Sequence, residues 1–348
     1  MDLENNGLNS QNSQPQPANF AQIPYVAEKP HKTSFWKVLW GIFTFLSILA
    51  NIGMFFLLIG FMVYFSGGKR DFLLEDVIKS GSNTQKIAVL SISGVIANEQ
   101  SVYFQKQIKM AKEDSRIKGL IIKVNSPGGT ISGSDEIYNE IIKYREKTGK
   151  PVIAFMQGMA ASGGYYASAG CEKIIAEPTT ITGSIGVIMS YLVLKDLLEG
   201  KLGIQPVVIK SGLRKDWPSS FSPPTAEQLE YMQTRLINPA YERFLEIVTK
   251  SRMNVLEPND VRKLADGGIY GALEAKKEKL IDEIGYMDEA IDMIAKMAKI
   301  SNPHVIEYKK PFSFASFLEA EGKSSIKFDR TTLLEFTSPQ VLYMWSGY

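Results

Sequence analysis

The sequence predicts an α/β fold with a mostly parallel sheet, and two observations predict it. Short runs rich in Ile, Val and Leu recur along the middle of the 348-residue chain, each long enough for one buried strand. The segments between them carry apolar residues at helical spacing and start after turns rich in glycine. Strands that alternate with helices in this way form right-handed crossover units, which place the strands parallel to one another.

The predicted elements of this part follow one another closely. In chain order they are a strand at 86–96, a helix at 101–114, a strand at 119–124, a turn at 125–130, a helix at 133–145, a strand at 152–156, a short helix after Ser162, a strand at 173–176, a glycine loop at 179–186, a helix around 192–202 and a strand at 206–209.

After Lys215 the pattern changes to helices. Thr225 to Gln228 has the form of a capping box, which predicts a helix start there. Pro239 is expected to break or kink this helix before its end near residue 250. Further helices are predicted at 259–265, 272–279 and 287–299.

The stretch from Val38 to Phe65 has no charged residue and is longer than the roughly 20 residues that a membrane-spanning helix needs. It predicts a transmembrane anchor at 34–66, preceded by a disordered tail at 1–33 that is rich in Asn, Gln, Pro and Ser. Lysines and arginines flank the anchor on both sides, so charge alone does not give its orientation.

The rest of the chain divides into three predicted parts. Residues 67–84 are a linker, 85–300 form the globular domain, and 301–348 are a C-terminal extension. The extension ends in an apolar run, Val341 to Trp345, which could pack on the domain, on a partner subunit or on the membrane.

Composition excludes several functions. The net charge of +2 and the absence of a basic stripe with interleaved aromatic residues give no case for nucleic-acid binding. The single Cys171 cannot form an intramolecular disulfide and is expected to have a packing role. His31 and His304 are the only histidines, and both are expected to be surface residues, so no metal or other cofactor is indicated.

Ser162 is the candidate nucleophile. It follows the strand at 152–156 and lies in a run of Gly, Ala and Ser that opens a helix, so a sharp turn would expose its hydroxyl at the carboxyl end of the sheet. Small residues around a serine also suit close helix packing, which is the structural alternative. Neither histidine is well placed to act as its base, so the base is expected to be a lysine.

Other segments of the sequence support a catalytic site. The turn Asn125 to Gly129 ends the preceding strand, and its glycines let backbone N–H groups approach a substrate. The loop Thr182 to Val187 carries a second hydroxyl, that of Ser184, and the segment Lys210 to Asp216 offers two lysines.

In this order and spacing, these segments resemble the signal peptide peptidases of the S49 family, which are membrane-anchored Ser-Lys proteases, in the short form with one catalytic unit per chain. The resemblance covers about 86–299 and the N-terminal anchor. It implies that Ser162 is the nucleophile and Lys215 the general base, with Lys210 the second choice. It also implies a ClpP/crotonase-like fold.

The remaining expectations follow from this resemblance. The N–H groups of Gly129 and Gly163 would bind the oxyanion, and Ser184 would orient the lysine. A free lysine has a pKa near about 10.4, so a lysine base needs apolar surroundings, and Asp216 is expected to point away from the site. The family also implies an extracytoplasmic domain on a bacterial cell membrane, homo-oligomeric rings with sites shared between protomers, and apolar peptide substrates such as cleaved signal peptides or misfolded membrane proteins.

Extended peptides are expected to lie along strand edges beside Gly129, with small or apolar side chains filling a pocket. Two other functions stay open. One is an acyl-CoA enzyme of the crotonase type, which would use the same glycine turns to polarise a thioester. The other is a non-catalytic membrane scaffold that keeps the fold for oligomerisation.

Overall fold

The fold is described from a computed structural model of the chain, which covers residues 34–67, 73–311 and 340–345. The predicted tail at 1–33, including His31, lies outside the described residues. The chain divides into two compact units, Met1–Gly68 and Lys69–Tyr348, and each is described by itself.

The first unit contains one long apolar helix, α1 (Phe35–Gly67). Its segment Phe35–Met62 has 28 residues and a hydropathy of 2.4, so it is long and apolar enough to cross a membrane. At about 1.5 Å per residue this segment exceeds the roughly 30 Å of a bilayer's hydrocarbon core. A membrane anchor is therefore compatible with its length and composition.

The second unit is built from short strands and helices. Its strands are β1 (Leu74–Lys79), β2 (Ser82–Ser93), β3 (Ile117–Ser126), β4 (Gly128–Thr130), β5 (Val152–Ala161), β6 (Lys173–Ala176), β7 (Ile181–Gly183), β8 (Ile188–Ser190), β9 (Ile269–Gly271), β10 (Glu283–Ile284), β11 (Pro303–Lys309) and β12 (Gln340–Met344). Its α-helices are α2 (Asn98–Glu113), α3 (Ile131–Thr148), α4 (Gly163–Ser168), α5 (Ala226–Met232), α6 (Asn238–Arg252), α7 (Pro258–Leu264), α8 (Ala272–Lys277) and α9 (Met287–Met297).

The main sheet has the strand order β1-β11-β2-β3-β5-β6-β10. From β11 to β10 all neighbours run parallel, and β1 is antiparallel to β11. β7 continues the sheet beside the end of β5 and pairs with β9. The prediction of a mostly parallel α/β sheet is confirmed.

Both faces of the sheet are covered, which explains the continuous apolar runs in the sequence. Ile87, Val89 and Ile121 face α9 on one side. Alternate residues such as Leu90 and Ile122 face the larger core on the other side, where Phe104 of α2 also packs. The buried Cys171 belongs to this larger core.

The sheet extends beyond the predicted 85–300 domain. β1 and the start of β2 come from the predicted linker, and β11 comes from the predicted extension and lies between them in the sheet. His304 is therefore a half-buried strand residue rather than part of a tail, and its Nδ1 lies 3.4 Å from the N–H of Gly81. The available signal was the run His304 to Lys309, which follows Pro303 and contains neither glycine nor proline.

The helical region confirms the capping box. Thr225 Oγ1 accepts from the N–H of Gln228 at 3.3 Å, and the Gln228 side chain accepts from the N–H of Thr225 at 2.9 Å. The helix is interrupted by a π-helical turn, Gln233–Ile237, and Pro239 lies in the first turn of the following α6. The helical backbone continues through this turn into α6, and the π-helical irregularity accommodates a proline, which lacks an N–H donor.

The predicted strand at 206–209 is wrong. Residues 203–210 form neither helix nor strand, and Val207 and Ile209 are 84% and 96% exposed. Among the described residues, the backbone of 205–210 has no strand partner. The apolar pattern is that of a buried strand, but the described residues of this chain do not cover it.

A buried ion pair joins the helical region to the sheet. The Arg252 guanidinium donates to Asp282 Oδ2 at 2.8 Å, and the same oxygen accepts from the N–H of Ile174. We expect Asp282→Ala to lower the free energy of unfolding by about 3–5 kcal/mol, because it leaves the buried Arg252 without its carboxylate. Urea unfolding measures this change.

The adjacent Glu283 provides a matched control. It pairs with Lys276 at 2.6 Å in an exposed position. Glu283→Ala should therefore lower the free energy of unfolding by less than about 1 kcal/mol. Equal losses for the two variants would contradict the role given to Asp282.

Candidate active site

Ser162 lies in the turn between β5 and α4 with φ 52° and ψ −112°. This backbone conformation is strained for a residue other than glycine. The turn is held from both sides: the Ser162 N–H donates to the Gly183 carbonyl at 2.8 Å, and the Ser162 carbonyl accepts from the N–H of Tyr166 at 2.8 Å. A strained strand-turn-helix serine is the geometry of a nucleophile elbow.

The two glycine turns of the sequence meet beside this serine. A Cβ on Gly128 would lie 2.7 Å from the Gly163 nitrogen, and a Cβ on Gly163 would lie 2.4 Å from Ser134 Oγ. Only glycine fits at either position. The structure therefore brings together the turn that contains Gly129 and the one that contains Gly163, as the sequence predicts.

Ser184 lies next to this turn, because the Gly183 carbonyl that accepts from Ser162 directly precedes it. It too has a positive φ, 50°, and is buried. Its N–H donates to the Gly268 carbonyl at 2.6 Å, so the loop 266–268 fixes its position. The paired strained serines were not predicted, although both follow glycine-containing strand ends in the sequence.

Lys215 is not part of this arrangement in a single chain. It is exposed, in a turn where its N–H donates to the Gly212 carbonyl at 3.1 Å, and its side chain forms no ion pair with the described residues. Lys210 donates to Asp216 Oδ1 at 2.7 Å, which lowers the pKa of that carboxyl. Asp216 is thus held by Lys210 and not by Lys215.

The edge beside Gly129 is occupied by β12 of the same chain. Tyr343 pairs with Gly129 and Met344 with Gly128 in antiparallel register, and β12 also pairs with β8. The N–H of Trp345 donates to the Pro127 carbonyl at 2.9 Å. The sequence left open whether the apolar run Val341 to Trp345 packs on the domain, on a partner subunit or on the membrane. In the structure it packs on the domain of its own chain.

The Tyr343 carbonyl oxygen lies against the glycine turns. A Cβ on Gly128 would come within 2.0 Å of this oxygen, and one on Gly163 within 3.0 Å. The strand thus presents a backbone carbonyl at the place where Gly128 and Gly163 meet.

The Tyr343 side chain fills a closed aromatic pocket. Its ring is fully buried, stacks on Tyr166 with centroids 4.9 Å apart, and lies 4.8 Å from the ring of Phe244. Its hydroxyl donates to the Ala240 carbonyl at 2.7 Å. Burial raises the pKa values of the Tyr343 and Tyr166 hydroxyls, so both are neutral donors at physiological pH.

A metal site is not formed by the described residues, since no three of their His, Cys, Asp or Glu side chains come together in a suitable cluster. Burial raises the pKa of the Cys171 thiol, which is therefore protonated in the core.

A serine in a strained turn of a parallel α/β sheet, beside two glycine turns, has the geometry that serine hydrolases use. Comparison with known proteins identifies the family to which the chain belongs. The profile of peptidase family S49 matches residues 144–301, and that of Clp protease matches residues 75–181. The fold is ClpP-like, as predicted.

Relatives extend this result over most of the chain. The Enterococcus faecium protein named "Putative signal peptide peptidase SppA" is 40% identical over 298 residues, which cover 79% of this chain and 85% of that protein. "Protease 4" of Haemophilus influenzae is 35% identical over 63% of this chain and 36% of its own length. "Serine protease SPPA, chloroplastic" of Arabidopsis thaliana is 30% identical over 73% of this chain and 37% of its own length. The chain belongs to peptidase family S49, a family of serine proteases.

The strain at Ser162 predicts an unusual order of stabilities. Glycine accepts a positive φ and alanine does not, so Ser162→Gly should be more stable than Ser162→Ala by about 1–2 kcal/mol. Thermal unfolding of the two variants measures the difference.

Ser168, at the end of α4, is the matched control. In a helix alanine is favoured over glycine by about 1 kcal/mol, so Ser168→Gly should be the less stable member of its pair. The same order at both positions would contradict strain at Ser162.

Proposed function

We propose that the chain is a membrane-anchored serine endopeptidase in which Ser162 is the nucleophile and Lys215 the general base. One observation carries the proposal: Ser162 is held in a strained turn against glycine turns where a backbone carbonyl, that of Tyr343, already lies. Membership of a serine peptidase family favours this function over the acyl-CoA alternative.

In the proposed reaction, Ser162 Oγ attacks the carbonyl carbon of a peptide bond while Lys215 Nζ takes its proton. The N–H groups of Gly163 and Gly129 stabilise the negative charge that develops on the carbonyl oxygen. When the C–N bond breaks, the lysine returns its proton to the leaving amine. Water then hydrolyses the acyl ester on Ser162 by the same route.

The lysine is proposed to come from a neighbouring protomer. A lysine base needs apolar surroundings, whereas the side chain of Lys215 is exposed in one chain. In the segment 205–210 the backbone has no hydrogen-bond partner among the described residues, and Val207 and Ile209 are almost fully exposed. Exposed apolar surface of this kind is typical of an interface. In a ring, this segment would cover a neighbour and bring Lys215 to its Ser162 and Ser184, whose hydroxyl would orient the lysine.

Extended apolar peptides are the proposed substrates. β12 supports this, since it lies on the edge of β4 as an added strand would. The pocket around Tyr343 favours a large aromatic residue just before the cleaved bond. The relative named as a signal peptide peptidase and the apolar helix α1 point to peptides at a membrane, such as cleaved signal peptides and misfolded membrane proteins. We place the catalytic domain on the extracytoplasmic side of a bacterial cell membrane.

Mixed assemblies test both the nucleophile and the shared site. Ser162→Ala and Lys215→Ala should each lower the cleavage of an apolar peptide by at least about 1,000-fold. When the two variants are co-expressed in equal amounts, about a quarter of the sites in a ring would combine an intact serine with a neighbour's intact lysine. Activity near that fraction of wild type is expected, measured with a quenched fluorescent peptide.

Three outcomes of this experiment discriminate. Full activity of Ser162→Ala would refute Ser162 as the nucleophile. A wild type that does not cleave the peptide would favour a scaffold. A mixture as inactive as its components would show that both residues must come from one chain. Lys210→Ala serves as control, because Lys210 is already paired with Asp216 and its loss should leave most of the activity.

Removal of β12 tests the substrate edge. A chain ending at Pro339 lacks the strand that occupies the edge of β4, so a peptide no longer competes with it. If the strand is bound about 90% of the time, KM falls by about 10-fold with kcat unchanged. An unchanged KM in a folded, active chain would show that substrates bind elsewhere.

A further inference from the structure

A cluster of polar side chains lies beside the pocket that holds Tyr343. It consists of Asp135 of α3, Tyr166 of α4 and Arg243 of α6, and these three residues line a cavity of about 480 Å³ together with Val341 of β12. Val341 precedes Tyr343 by two residues, so the cavity follows the same strand edge. The cluster therefore lies next to β12.

Tyr166 connects the cluster to the nucleophile turn. Its N–H donates to the Ser162 carbonyl, and its ring forms one wall of the Tyr343 pocket. The ring also packs against Phe244 with centroids 5.0 Å apart. A shift of this ring would change the shape of the pocket one helical turn away from the serine.

The Tyr166 hydroxyl is held by one acceptor, Asp135 Oδ1. The carboxylate is in turn 3.5 Å from the Arg243 guanidinium, which also binds Glu246 at 3.0 Å. Both Asp135 and Arg243 are nearly half exposed, so their ion pair adds little to stability. The role of the half-exposed Asp135 carboxylate is therefore better explained by its effect on the position of the buried Tyr166 ring.

We propose that Asp135 is a positioning residue that sets the selectivity of the site for an aromatic residue before the cleaved bond, because it fixes the ring of Tyr166 against that residue. The inference rests on the proposed function, in which a substrate takes the place of β12. Asp135 touches neither substrate nor reacting atoms. Its effect is expected in the discrimination between substrates and not in the chemical step.

The test compares two peptides that differ only in a Tyr or an Ala before the cleaved bond. Asp135→Ala in the full chain should lower the Tyr-to-Ala ratio of kcat/KM by about 3- to 10-fold, chiefly through the KM of the Tyr peptide, since aromatic pairing is worth about that factor. Asp135→Asn keeps an oxygen that accepts from the Tyr166 hydroxyl and should restore most of the ratio. Glu136→Ala, an exposed neighbour on α3, should leave it unchanged.

Binding of the same two peptides to Ser162→Ala chains separates this inference from the proposed function. If the Tyr-to-Ala binding ratio falls on Asp135→Ala while wild type cleaves neither peptide, the inference stands and the protease assignment fails. If wild type cleaves both peptides and Asp135→Ala changes their kcat/KM values by the same factor, the protease assignment stands and the inference is overturned. A binding ratio that Asp135→Ala leaves unchanged also overturns it.

Discussion

The constraint on which the site depends is the left-handed backbone of Ser162. A residue with a Cβ can hold φ 52° only if its surroundings leave no alternative. Here the Gly183 carbonyl fixes its N–H, and Gly128 and Gly163 are packed so closely that neither position has room for a side chain. The glycines, the second strained serine and the end of β5 are therefore parts of one structure. The parallel sheet supplies its rigidity, because β3, β5 and β7 all end at this turn.

The two strained serines and the proposed base, Lys215, differ in how one chain holds them. Hydrogen bonds within the body position Ser162 and Ser184, whereas Lys215 follows a segment whose backbone has no strand partner among the described residues. This segment, residues 205–210, has the apolar pattern of a buried strand but an exposed position. Its sequence and its environment therefore conflict. A second copy that covered the segment would resolve this conflict, which is the physical argument for the proposed shared site.

The sequence predicts the central strands and both glycine turns because burial on two faces imposes long apolar runs, and tight turns require glycine. The same patterns predict the strand-turn-helix position of Ser162, although the structure buries this serine, whose hydroxyl the sequence predicts to be exposed. The place of Pro303–Lys309 could not be predicted, since local patterning does not say that a late strand inserts between β1 and β2. The prediction of a strand at 206–209 was wrong for another reason. An apolar pattern indicates burial but does not identify the surface that buries the segment. Tyr166 gave no signal beyond its spacing of four residues from Ser162.

β12 shows how the edge of β4 and the aromatic pocket act together. The backbone of Tyr343 pairs with Gly129, while its ring enters the pocket formed by Tyr166 and Phe244. Main-chain pairing is independent of sequence, so the selectivity for what lies on this edge must come from the pocket. If the lysine arrives only with a neighbour, a single chain can hold its own carbonyl at the glycine turns without cleaving it. The same assembly step would then supply the base and expose every peptide on that edge, including β12, to the nucleophile.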